Sequence, residues 1–197
     1  MASHLGVLGV LQALRERLSI RMAARLGGNP KVEILGSQAL AGVPQNNTDT
    51  LGIYLHRVSV DPFSRNRHLP PAPGHRLPRP ELPVNLHLLL IAWCTHTEQE
   101  ISYLSTAIQI LGGGFPLASA DLSLADPEWG DDGVQVLPEE MSTEDLMRLW
   151  DSLPGDYRLS APYLVKTVRL APDVNQDEGP PVRTLVFPAG EHGGAHQ

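Results

Sequence analysis

Apolar residues recur at three- and four-residue steps near the start of the chain: Val7, Leu11, Leu14, Leu18 and Met22. That period places them on one face and predicts an amphipathic helix. Arg15, Glu16, Arg17 and Arg21 lie mostly off that face. Gly27-Gly28-Asn29-Pro30 ends the helix, because glycine accepts a left-handed cap and proline cannot continue it. Gly6 and Gly9 weaken its first turns. The period then shortens to two. Lys31 to Leu35 reads as a short strand and Gly36 to Thr50 as a loop with a polar end. From Leu51 to Val60, Leu51, Ile53 and Leu55 point one way and Tyr54, Val58 and Val60 the other. Apolar residues on both faces predict an interior strand. Leu82 to Trp93 is the strongest strand. Leu82, Val84, Leu86, Leu88, Leu90 and Ala92 form an apolar face; Asn85, His87, Leu89, Ile91 and Trp93 form a second that turns apolar toward its end.

A helix follows, with Thr97 as cap, Glu100 as its reciprocal partner, and Ile101, Leu104, Ile108 and Leu111 as the buried stripe. Gly112-Gly113-Gly114 stops it. Phe115 to Gly133 reads as an acidic loop and Val134 to Leu137 as a short strand. Ser142 with Asp145 opens another helix, striped by Leu146, Leu149, Trp150 and Leu153 and ended by Pro154-Gly155. Tyr157 to Leu170 reads as a long strand in which Pro162 forces a bend, a bulge or an edge position. Helices do not alternate regularly with strands, which disfavours a doubly wound parallel sheet. The expectation is one α+β domain over residues 1–171, a mixed or antiparallel sheet covered by two or three helices. Residues 172–197 form a Pro/Gly-rich tail, with Val182 to Phe187 as a possible strand and the end disordered.

Composition narrows the function classes. The 197 residues carry 15 Lys+Arg against 22 Asp+Glu, a net charge of −7. An acidic balance disfavours sequence-independent DNA binding, which needs a basic face to displace counterions. The charge is uneven: segment 61–80 is basic and segment 121–145 acidic. Cys94 is the 1 cysteine, which excludes an internal disulfide and a multi-Cys zinc site. The N-terminus lacks a basic region ahead of its apolar stretch, and Leu86 to Cys94 is about half the ~20 residues of a membrane helix. A cytoplasmic protein is expected, with no membrane insertion.

Candidate chemistry is sparse. His192 and His196 have i,i+4 spacing in a Gly-rich stretch that holds no helix. His56 and His87 sit on strands that pair in one arrangement, without a third ligand at a recognised spacing. No metal or other cofactor is expected. Cys94 reads as a small buried hydrophobe; a small hydrolase using it or the histidines is the alternative from another class. Gly112-Gly113-Gly114 follows a helix and lacks the Lys-Ser/Thr of a phosphate loop. Glu139-Glu140 and Asp131-Asp132 read as solvated or helix-start charges. Arg65-Asn66-Arg67-His68, joined by Arg76 and Arg79, is the local basic concentration, inside a Pro-rich connection too long for a tight turn. It suits an acidic partner surface or a phosphate.

Leu149-Trp150-Asp151-Ser152-Leu153, followed by Tyr157-Arg158-Leu159-Ser160-Ala161-Pro162-Tyr163-Leu164-Val165, resembles the closing motif of a known family. That family is the cap, or tail-terminator, proteins of phage-tail-like contractile injection systems of the Photorhabdus virulence cassette type. Gly52 to Val58 resembles its first long strand, Arg65-Asn66 its short Arg-Asn signature, and Leu82 to Thr95 its Leu-rich strand. The order matches over about residues 5–171. Trp93-Cys94, Pro162 and the long Pro-rich loop depart from the pattern. The resemblance implies a structural protein without catalysis. It would act as a ring, with a hexamer expected, closing the distal end of an inner tube and its sheath. The implied partners are the tube protein, the sheath protein and further copies of the chain. A baseplate or tail-completion adaptor of such a particle is the alternative within this class. The candidate partner contacts are Arg65, Asn66, Arg67, Arg76, Arg79, Tyr157 and Arg158, with the first helix beside them.

Overall fold

The computed structural model describes residues 2–41, 49–64, 81–113 and 116–171. The elements run α1 (Gly6–Leu26), β1 (Lys31–Leu35), a 3-10 turn (Ser37–Ala41), β2 (Thr50–Val60), β3 (Leu82–Trp93), α2 (Thr97–Leu111), α3 (Ser119–Ser123), β4 (Gln135–Pro138), α4 (Thr143–Asp151) and β5 (Ser160–Leu170). The strands form one sheet in the order β1-β2-β3-β5-β4. β1 and β2 are parallel and every other pair is antiparallel. This is the expected α+β class with a mixed sheet. The covering helices are α1, α2 and α4, and the short α3 adds to them in a stretch read as loop.

β3 is central and buried along nearly its whole length. Its apolar face, with Leu51 and Ile53 of β2 and Val165 of β5, packs against Leu14, Leu18 and Met22 of α1, Leu104 and Leu111 of α2 and Leu122 of α3. Its second face divides as its sequence does. Leu89, Ile91 and Trp93 join Leu40 of the 3-10 turn and Trp150 of α4 in a second core. The His87 and Asn85 half carries a polar cluster instead. Ser142 caps α4 as expected, its Oγ accepting the Asp145 N–H at 3.1 Å.

The structure corrects three readings. The register of β2 against β3 shifts between Leu55 and Arg57, so His56 is an extra residue and both it and Arg57 oppose His87. The bulge moves Val58 and Val60 off the face of Tyr54 and opposite Leu86 and Val84. The stripe of α2 is Leu104, Ala107, Ile110 and Leu111, while Ile101 and Ile108 are exposed. Ala107 is too small to stand out in the apolar pattern of the sequence. Thr97 is the first residue of α2 and not its cap. His96 holds that position without a side-chain bond, and its carbonyl takes the Gln99 and Glu100 N–H groups.

Pro162 sits on an interior strand, opposite Leu89 with no bulge there. Its carbonyl accepts the Glu139 N–H at 3.1 Å, so its ring nitrogen faces the β4 side, where β4 has ended at Pro138. The start of the chain is also tied in. Ala2 bridges to Leu170, extending the sheet past β4. Ser3 donates from its N–H and hydroxyl to buried Asp126, at 2.8 and 2.9 Å. Gly6 is required here, because a Cβ on it would stand 2.4 Å from the Ala2 Cβ.

Candidate functional site

Five of the sequence candidates, Arg65, Asn66, Arg67, Arg76 and Arg79, lie outside the described residues, as do His192, His196 and the 172–197 tail. Tyr157 and Arg158 lie on the connection from α4 to β5. Tyr157 is about half exposed and meets the Trp150 ring edge-on at 5.9 Å. Arg158 stacks 5.7 Å over Trp93 and reaches Glu100 on α2 at 3.4 Å. Its charge therefore braces the α2 start against the end of β3, while Tyr157 faces outward.

The strands that carry His56 and His87 do pair, and the two rings lie 6.0 Å apart. His87 Nδ1 lies 2.6 Å from Glu139 Oε1, and Nε2 lies 2.8 Å from Ser59 Oγ. With Nδ1 donating to the carboxylate, Nε2 is left to accept the Ser59 hydroxyl proton. Glu139, read as a solvated charge, is instead largely buried against His87. Sequence gave no signal for this, since the two residues are 52 apart and meet only across β5.

The Ser59–His87–Glu139 chain has the connectivity of a nucleophile, base and acid. Nucleophilic catalysis also needs access and a nest of donors for an oxyanion. Ser59 lies on a regular stretch of strand opposite Asn85, not on the sharp turn that exposes a nucleophile beside backbone donors. His87 is buried at 6% exposure, while Ser59 is partly buried. The chain of bonds instead ties β2, β3 and the end of β4 together. His56 Nε2, Asn85 Oδ1 and Glu139 Oε2 are buried without a partner among the described residues.

Burial lowers the His56 pKa, offset in part by Glu139 and reinforced by His87 and Arg57. The folded state thus keeps His56 neutral where the unfolded chain, titrating near the ordinary ~6.5, takes up a proton. Its contribution to stability is present above that pH and is lost as pH falls through the lower folded value. Thermal melts should show the midpoint falling below pH ~6.5, with a shallower fall for His56→Asn. Identical slopes for the two proteins would refute this assignment.

The Cys94 thiol is pushed up to about 12, first by burial and then by Asp49 and Glu100. A thiol so rarely ionised is a poor nucleophile. Among the described residues, no three His, Cys, Asp or Glu side chains are placed to hold a metal ion. No described helix is long and apolar enough to cross a membrane. The remaining feature is surface. Ile20, Leu124, Tyr157 and Leu159 are large apolar side chains exposed at the surface.

Comparison with known proteins gives the same direction. The family model described as the Pvc16 N-terminal domain matches residues 9–184. No curated protein matches the chain. Among solved structures, the sheath/tube terminator of the PVC extracellular contractile injection system, in its extended state, is similar with a TM-score of 0.61 and 21% identity. The match covers 97% of this chain and 65% of that one. The tube terminating cap of the anti-feeding prophage is similar with a TM-score of 0.56 and 19% identity, over 91% of this chain and 60% of that one. At these identities the likeness establishes a shared fold. The chain spans 65% and 60% of the lengths of the two structures.

Proposed function

We propose, from the premise that the chain belongs to the Pvc16 N-terminal domain family, that it is a structural cap of a contractile injection particle. It ends the inner tube and sheath at the distal end, as a ring of six copies, and performs no catalysis. It is made in the cytoplasm and retained in the particle. The observation that carries this reading is a fold shared over 97% of the chain with a sheath/tube terminator. The site supports it in two ways. His87 of the Ser59–His87–Glu139 chain is buried, and the surroundings of Cys94 hold its thiol protonated. The outer surfaces carry exposed apolar side chains, which is what assembly uses.

A terminator must match the symmetry of the tube end and then offer no surface for further stacking. The tube protein, the sheath protein and other copies of the chain are its partners. Electron microscopy of particles from a deletion strain tests the reading. Tubes and sheaths of irregular length with open distal ends are expected. Particles of normal length and termination would overturn it. A tagged copy found at the baseplate end would assign the chain to an adaptor instead.

A further inference from the structure

A strand edge that has apolar side chains and no neighbour is a template for further pairing, and folded proteins cover or blunt it. β2 has such an edge. β1 pairs with it over Thr50–Tyr54 alone. From Leu55 to Val60, the side of β2 away from β3 has no strand partner among the described residues. Beyond the bulge, Val58 and Val60 stand on the face of the main core, opposite Leu86 and Val84, yet they are 50% and 44% exposed. The slot in line with β1, beside this half of β2, is bordered by open backbone groups and by apolar side chains on one face.

The direction of the chain points to what fills it. β2 and β5 both run antiparallel to β3, so they finish at the same end of the sheet. The chain leaves β5 at Ala171, two strands from Val60. It cannot turn back along β5, because β3 lies on one side and β4, followed by Ala2, on the other. The ten residues 172–181, with Pro172, Pro180 and Pro181 among them, suit a crossing and not a strand. Extended, they reach ~33 Å, against ~10 Å for two strand spacings. Val182 to Phe187 follow, bracketed by Pro181 and Pro188 and rich in the β-branched and aromatic types that strands favour. Their six residues equal the six from Leu55 to Val60. The family model also continues past β5 to residue 184, into this segment. The other edges fit less well: that of β4 is four residues long and ends in Pro138, and that of β1 lies at the opposite end of the sheet.

We propose that Val182–Phe187 pairs antiparallel with Leu55–Val60 of its own chain and closes this edge as a sixth strand. Main-chain bonds hold it, and its apolar side chains cover Val58 and Val60. Photo-crosslinking and hydrogen exchange on the full chain test this. With p-benzoylphenylalanine in place of Phe187, crosslinks should fall on β2 and join residues of one chain. In a mixture of heavy-isotope-labelled and unlabelled protein, each crosslinked pair of peptides should then carry a single isotope. Pairs of mixed isotope would give the segment to a neighbouring copy and overturn the assignment, as would crosslinks that all fall outside β2. Thr184→Pro and Leu185→Pro each remove one donor from the segment. Neighbouring amides of a strand face opposite sides, so one of the two variants loses a bond to β2. In that variant, the amides of Leu55–Val60 that face away from β3 should exchange about tenfold faster, with Leu88 in the centre of the sheet unchanged. Both variants exchanging like the wild type along β2 would overturn the proposal.

Discussion

Trp150→Ala should destabilise the domain by about 3–5 kcal/mol, the range for deleting a buried tryptophan. Trp150 is 3% exposed and is the part of α4 that reaches Leu89, Ile91 and Trp93 on the second face of the sheet. Leu146, Leu149 and Leu153 pack around the same cluster only partly buried, so they cannot close the gap it leaves. Its Nε1–H also donates to Ser160 Oγ at 3.1 Å, joining α4 to the first residue of β5. For a chain of this size, each kcal/mol moves the melting point by about 2–4 °C. The expected fall is therefore about 10 °C, read by circular dichroism. Trp150→Phe keeps a ring against the sheet and loses the donor, so its cost should be about 1–2 kcal/mol. A Trp150→Ala protein melting with the wild type would show that α4 does not cover this face.

The Trp150 cluster explains physically why the closing motif was legible. Leu149-Trp150 and Tyr157-Arg158 are one packing unit, seated around the end of β3. Gly155 lies between them with φ of 150°, and a Cβ there would meet the Leu40 carbonyl oxygen at 2.4 Å. The turn therefore requires glycine, and the spacing of the motif is fixed by how tightly α4 must fold back. The alternation along β3 was legible for a similar reason: a period of two on a central strand is read directly as two faces, one apolar and one mixed.

What the sequence hid was set by contacts between distant residues. The bulge at His56 has no glycine or proline to mark it, and it reverses the side that Val58 and Val60 face. Glu139 looked like a surface charge because its partner, His87, lies on another strand. The cap expected from Thr97 fails because α2 begins at Thr97 itself, with His96 in the cap position, and Glu100 instead pairs with Arg158. The acidic stretch 121–132 reads as loop, yet it holds Asp126, a carboxylate with 0% exposure. Nothing in composition separates that aspartate from its neighbours.

Asp126→Ala should cost about 3–4 kcal/mol, because bonds to a charged acceptor are worth about 1.5–3 kcal/mol each and do not add in full. The carboxylate takes the Ser3 N–H at 2.8 Å, the Ser3 hydroxyl at 2.9 Å and the Glu128 N–H at 3.2 Å. Alanine leaves these donors facing an emptied site. Its loss should also free the start of the chain, where Ala2 donates to the Arg169 carbonyl and accepts from the Ala171 N–H. The effect should therefore be both global and local. Urea titration should give a lower midpoint with an unchanged slope, and hydrogen exchange at Ala171 should quicken more than at Leu88 in the centre of the sheet. Asp126→Asn keeps an acceptor oxygen but not the charge, so it should recover about half of the loss. An Asp126→Ala protein with wild-type midpoint and unaltered exchange at Ala171 would show that the latch adds nothing. Loss of midpoint without the local change would place the role of Asp126 in its own loop, through Glu128, and not in holding Ser3 to the sheet.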